Sequence, residues 1–244
     1  MRLRMIFWIK LAIRAAITIF LSVIYFIHRD WLDFTKEPVW VGMYILFGAF
    51  FIELLSRFIP GAFHPTGMQK NLKSQFVPTP HYLKDGITEA DRRLIRKLNK
   101  QAAITFVVFF ILNAIWFVLY FLHIFGVPEL VMIMTLYCFG DMICANGFCP
   151  YRIFLMKNRC CNVCRIYRWD SVMAVTPLMV ILHPLSMSLV AVGVITFLVW
   201  EVSFYRHPER FLETCNASLQ CKNCKQAICP RKRKESLLFY FKVR

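Results

Sequence analysis

The sequence predicts an all-α, polytopic membrane protein of about six transmembrane helices, and three observations carry that prediction. Hydrophobic residues make up 58% of the chain and charged residues only 18%, whereas soluble globular domains are nearer 45–50% apolar. Apolar stretches of about membrane-spanning length recur along the chain, separated by Pro, Gly and charged residues. The Lys and Arg residues collect in alternate connections, as the positive-inside rule requires.

The first span covers residues 5–27. Arg2, Arg4, Lys10 and Arg14 open it, and the apolar run continues to Ile27. A secretory signal has a shorter apolar core and a small-residue cleavage site. Here His28-Arg29-Asp30-Trp31 follows instead, so the span is read as uncleaved. Lys10 and Arg14 lie one turn apart and can snorkel to the interface. Pro38 precedes the second span, residues 39–59, which carries Glu53 and Arg57 at i, i+4. Charge at that depth faces protein rather than lipid. A structural ion pair, with Arg14 of the neighbouring helix as a partner, is weighed against a proton or substrate path.

Residues 60–102 form a basic loop. Pro60-Gly61, Pro65, Pro78 and Pro80 keep its first part irregular. Thr88, then Glu89 and Asp91, mark a capped helix start. Arg92, Arg93, Arg96, Lys97 and Lys100 then lead an interfacial basic helix into the third span, 103–125. Asn113 within that span is expected to hydrogen-bond a neighbouring helix. Gly126-Val127-Pro128 turns the chain, with Pro128 suited to a first helical turn. The fourth span covers 129–148, and helical periodicity places Cys138, Asp141, Ala145 and Cys149 on one face. A carboxylate in mid-span is costly, so Asp141 is either a proton site or a partner of Arg14 or Arg57.

After the Cys-rich loop 149–170, His183-Pro184 divides the remaining apolar stretch into 172–182 and 185–204. Lys and Arg number nine in residues 57–102, five in 150–170 and ten in 205–244, but two in 28–38. That asymmetry puts the N-terminus, both loops and the tail 205–244 in the cytoplasm. It requires an even number of crossings after residue 170, hence a hairpin; because 172–182 is short, a re-entrant hairpin is the alternative. The net charge of +16 is then explained by topology and anionic headgroups, and no basic–aromatic nucleic-acid module is visible. The lipid bilayer is the expected partner, with no nucleic acid. Asn216-Ala217-Ser218 matches a glycosylation sequon, which the cytoplasmic placement discounts.

Ten cysteines form two groups. Cys138, Cys144, Cys149, Cys160, Cys161 and Cys164 lie in or beside the loop; Cys215, Cys221, Cys224 and Cys229 lie in the tail. Disulfides are disfavoured in a reducing cytosol. Two C-x-x-C pairs, Cys161–Cys164 and Cys221–Cys224, suit zinc, although the gap between them holds a whole membrane hairpin rather than the usual short spacer. Four thiolates within Cys215–Cys229, and Cys149, Cys160, Cys161 and Cys164 in the loop, are the number an iron–sulfur cluster needs; Cys149-Pro150 and Cys229-Pro230 share the terminal Cys-Pro of ferredoxin runs without their spacing. Cys138 and Cys144 read as helix-packing residues. His28, His123 and His183 fall at the opposite ends of their spans, where an outer cofactor was weighed against lone interfacial histidines. No nucleophilic triad, phosphate-cradling loop or H-E-x-x-H is present, which leaves an enzymatic role open.

The stretch CFGDMICANGFCPYRIFLMKNRCCNVCRIYRWD, with TPLMVIL, YRHPERF and CKNC after it, resembles a group of bacterial cysteine-rich multi-pass membrane proteins with no assigned activity. The resemblance implies a bacterial cell membrane and supplies no catalytic residues. The functional expectation is a cysteine-ligated metal centre at the cytoplasmic face, iron–sulfur, working in electron transfer with a redox partner protein. The alternative is a transporter or assembly factor with a zinc-stabilised cap.

Overall fold

The computed structural model describes residues 2–56, 71, 73–146, 148–158, 163–220 and 223. The regular structure of the described residues is helical, with no strand and a single isolated bridge between Pro78 and Asn216. The helices are α1 (Arg2–Ile27), α2 (Val41–Ser56), α3 (Pro80–Asp85), α4 (Glu89–Phe121), α5 (Val127–Asn146), α6 (Asp170–Val175) and α7 (Pro184–Arg206). α1 packs on α5, α2 on α7, and α6 on both α5 and α7.

Four helices are long and apolar enough to cross a membrane: those containing Trp8–Ile27, Glu89–Phe121, Val127–Cys144 and Pro184–Arg206. Two of them carry exposed apolar faces of membrane-spanning length. The exposed apolar face of α4 runs from Ile104 to Leu122, and that of α7 from Met187 to Tyr205. Each is about 27 Å long at 1.5 Å per residue, close to the hydrocarbon thickness of about 30 Å. α2 and the α6 region are shorter apolar helices.

The core divides between the two ends of the bundle. At one end Leu32, Phe34, Met43, Leu130, Leu178 and Leu189 are buried together. Glu129 clamps this end: its carboxylate accepts the Tyr25 hydroxyl at 2.6 Å and the Gly126 N–H at 2.7 Å, and pairs with Arg29 at 2.6 Å. At the other end Leu98, Met156, Cys164, Trp169, Phe204 and Cys215 belong to a second buried cluster.

The arm before α7 differs from the straight span expected over 172–182. As an α-helix, eleven residues would cover only about 16 Å. The arm is pinned at both ends: Trp169 Nε1 donates to Glu201 at 2.7 Å, and His183 caps α7 and meets the Phe34 ring edge-on. Residues 184–201 of α7 fix the intervening distance at about 26 Å. Residues 169–183 therefore average about 1.8 Å per residue, more than the α-helical rise. Pro177 lacks the N–H that would continue α6. The chain winds instead as a 3-10 helix over Thr176–Val180, with a rise of about 2.0 Å, and then straightens before His183. A short sequence thus reaches the far end of its neighbour by unwinding.

α6 and α7 approach closely because Gly193 faces α6. A Cβ there would lie 2.8 Å from Val175 Cγ2 and 3.3 Å from the Ser171 carbonyl oxygen. Val175 is buried and its β-branch is stiff, so neither neighbour yields easily. Gly193→Ala is expected to cost about 1–3 kcal/mol in thermal unfolding of detergent-solubilised protein, and Val175→Ala in the same chain should recover part of it. An unchanged midpoint for Gly193→Ala would contradict this packing.

Candidate functional site

Thr88 caps α4 with a full capping box to Asp91, as its place in the sequence predicts. Asp91 is buried and also accepts the Thr214 hydroxyl at 2.6 Å. Thr79 N–H donates to the Cys215 carbonyl at 2.9 Å, and Ala217 N–H to the Val77 carbonyl at 2.7 Å. These bonds dock the start of the tail onto the segment before α3, beside the loop that follows α5. The Asn216 side chain is fully buried; it donates to the Arg210 carbonyl and accepts from Ser218 N–H. Burial of Asn216 closes the sequon to a glycan in the folded chain.

The cysteine loop is fixed to α7 by a buried ion pair that sequence reasoning missed. Arg165, with its side chain 2% exposed, forms a bidentate pair with Glu201. Trp169 Nε1 donates to the same carboxylate, Trp200 Nε1 donates to the Arg165 carbonyl at 2.8 Å, and the guanidinium lies 3.7 Å from the Phe204 ring centroid. The carboxylate pairs with both terminal nitrogens of the guanidinium and the Phe204 ring covers it, while Arg165 Nε has no hydrogen-bond partner among the described residues.

Within this frame the described thiols occupy contrasting surroundings. α5 ends at Asn146, so Cys149 does not continue the face shared by Cys138 and Asp141, as periodicity predicted. Pro150 instead starts a single π-helical turn, Tyr151–Leu155. Cys149 sits at its head and its sulfur accepts the Arg152 N–H at 3.4 Å. A hydrogen bond from Cys144 does most to hold the Cys149 thiol down, to about 7, against the cost of burial; the Arg152 N–H and its guanidinium charge add to the effect. Cys164 is nearby and nearly enclosed, and burial pushes its thiol up to about 11. Cys215 is fully buried, and that burial, with Asp91 and Glu209 in range, raises its thiol as well. The five described cysteines, Cys138, Cys144, Cys149, Cys164 and Cys215, form no disulfide with one another. Among the described residues no three or more His, Cys, Asp or Glu side chains form a group that could hold a metal. Cys160, Cys161, Cys221, Cys224 and Cys229 lie outside the described residues. In metal-free protein, Cys149 should be the first of the described thiols to alkylate. Its rate should rise with pH and reach half-maximum near 7, and Cys144→Ala should move that midpoint upward. Peptide mass spectrometry after timed iodoacetamide treatment reads this; equal rates for Cys149 and Cys164 would refute it.

A second polar group lies inside the bundle. Arg14 pairs with Glu53 of α2 and, at 3.3 Å, with Asp141 of α5, and donates to the Cys138 carbonyl at 2.6 Å. The side chain is 14% exposed, so it points inward instead of snorkelling. Residues 14, 53 and 141 all lie roughly 20 Å from the Glu129 end of their helices, which is how three helices bring their charges to one depth. Arg57 lies outside the described residues. Asn113 Nδ2 donates to the Phe109 carbonyl of its own helix at 2.9 Å, and the Asn113 side chain also hydrogen-bonds Tyr137 of the neighbouring α5. His28 stacks on Trp31, while His183 serves as the α7 cap.

Comparison with protein-family models, with curated proteins and with solved structures finds no match to this chain.

Proposed function

We propose that this chain is a six-crossing membrane protein with both termini in the cytoplasm, whose cysteines hold an iron–sulfur centre at the cytoplasmic face and pass electrons to or from a redox partner protein. The observation that carries the reading is the meeting of the two cysteine segments. Cys149 and its Cys144 neighbour lie close to Cys164, and the tail brings Cys215 into the same buried cluster as Cys164. The pinned arm 169–183 adds support, because an even number of crossings after the loop returns the tail to the side of the loop. So does the collection of Lys and Arg in the connections at that end.

The described donors fit such a centre only in part. Cys149 sits among hydrogen-bond donors that favour a thiolate, whereas the surroundings of Cys164 and Cys215 favour the protonated thiol. A four-thiolate set therefore draws on cysteines at 160–161 and 221–229, outside the described residues. An iron–sulfur cluster supplies one-electron chemistry when bound. The protein's part is to hold the loop still through Arg165–Glu201 and to direct the Arg152 N–H at the Cys149 sulfur.

The meeting of Cys164 and Cys215 in one buried cluster also suits a second reading, a transporter or assembly factor whose cap is closed by structural zinc, which would have to deprotonate both thiols on binding. Protein purified without oxygen separates the two. Bound iron with acid-labile sulfide and visible absorption supports the first; zinc alone supports the second. Neither metal in such protein would overturn both.

A further inference from the structure

We propose that the exposed face of α4 binds an anionic phospholipid, with the phosphate on Arg93, Arg96, Lys97 and Lys100 and an acyl chain on the apolar stripe that continues from them. The four cations stand at i, i+3, i+4 and i+7, so they form one stripe, and all four are exposed. Asp91, Leu98 and Ala102 turn the other way and are buried. The same face continues through Ile104, Val107 and Ile111, each about half exposed. The change from cation to aliphatic side chain takes a single turn. It falls where a bilayer boundary is independently marked: Leu98 shares a buried cluster with Phe204, and the apolar face of α7 ends at Tyr205, just before Arg206. One face therefore offers charge at headgroup level and hydrocarbon immediately beneath it, the two halves of a phospholipid.

The cations are available. Arg96 shares its charge with Glu89 at 2.9 Å, both exposed, while Arg93, Lys97 and Lys100 have no ion-pair partner among the described residues. α4 is about 50 Å long, some 20 Å more than the hydrocarbon requires, and the surplus carries this stripe. The proposal depends on α4 lying in a bilayer but not on a metal or on the orientation of the chain, so its failure and that of the electron-transfer reading are separable.

The test is lipid enrichment around the full chain in nanodiscs of mixed phosphatidylcholine and phosphatidylglycerol, read by native mass spectrometry. Wild-type protein should retain phosphatidylglycerol preferentially. The triple variant R93Q/K97Q/K100Q should lose about fivefold in preference for each cation removed. The charge-matched triple K36Q/K73Q/K84Q, at exposed positions elsewhere, should keep it. No enrichment in wild type would overturn the proposal, and so would equal losses in the two triples, which would assign the effect to net charge.

Discussion

Replacing Glu201 with alanine is expected to cost about 3–5 kcal/mol, because it leaves the nearly enclosed Arg165 guanidinium without its partner. The pair is bidentate, Arg165 is almost fully enclosed, and two tryptophans hydrogen-bond into the arrangement. The consequence reaches the cysteines. Arg165 adjoins Cys164, and releasing the guanidinium releases the loop from α7. The thermal midpoint should fall, and alkylation of Cys164, 6% exposed in the native fold, should accelerate. Glu201→Gln should be nearly as damaging, since it keeps an acceptor for Trp169 but leaves the cation unpaired. The double replacement Arg165→Met with Glu201→Leu should cost less than either single loss, as no charge remains buried. A Glu201→Ala protein with an unchanged midpoint and a protected Cys164 would remove the ion pair from the account.

Arg14→Gln is the second large effect, of similar size and from the opposite sign of charge. It removes the cation that the Glu53 and Asp141 carboxylates share within the apolar part of the bundle. Yield of folded protein and thermal midpoint should both drop. Glu53→Gln and Asp141→Asn should each be milder, because Arg14 keeps one carboxylate in either variant. Asp141→Asn should be the mildest, since Asp141 makes the longer contact. Adding Glu53→Gln and Asp141→Asn to Arg14→Gln should restore much of the loss. If the triple variant is no better than Arg14→Gln alone, the arginine acts through something other than these carboxylates.

The helical, membrane-type architecture was legible in composition and run length, because both follow from the energetics of burying backbone in hydrocarbon. Arg14, Glu53 and Asp141 were legible as costly charges, though not their common depth, which depends on where each helix starts. Glu201 carried the same signal: it is the sole acidic residue between Asp170 and Glu209, beside a tryptophan, in an apolar run. A carboxylate at that place in an apolar run predicts a buried cation partner, as it does for Asp141, whereas Arg165 in its basic loop reads from sequence only as a topology charge. The arm 169–183 could not be read from hydrophobic length, since its reach comes from 3-10 winding at Pro177. Cys149 does not lie on the α5 face because helical periodicity does not carry past Asn146, where α5 ends.

The account requires every native cysteine outside the bilayer to lie on one side, with the turns at 122–126 and 181–184 on the other. Treating intact cells with a membrane-impermeant maleimide tests this directly. The wild-type chain, with all ten cysteines, should take up no label from outside. Ile124→Cys and Leu182→Cys, at positions 60% and 88% exposed, should each become labelled. Outside labelling of the wild-type tail peptide containing Cys221 and Cys224, with Cys149 and Cys164 of the loop left unlabelled, would show that the arm 169–183 does not complete a crossing. It would also place the two cysteine groups on opposite sides of the membrane.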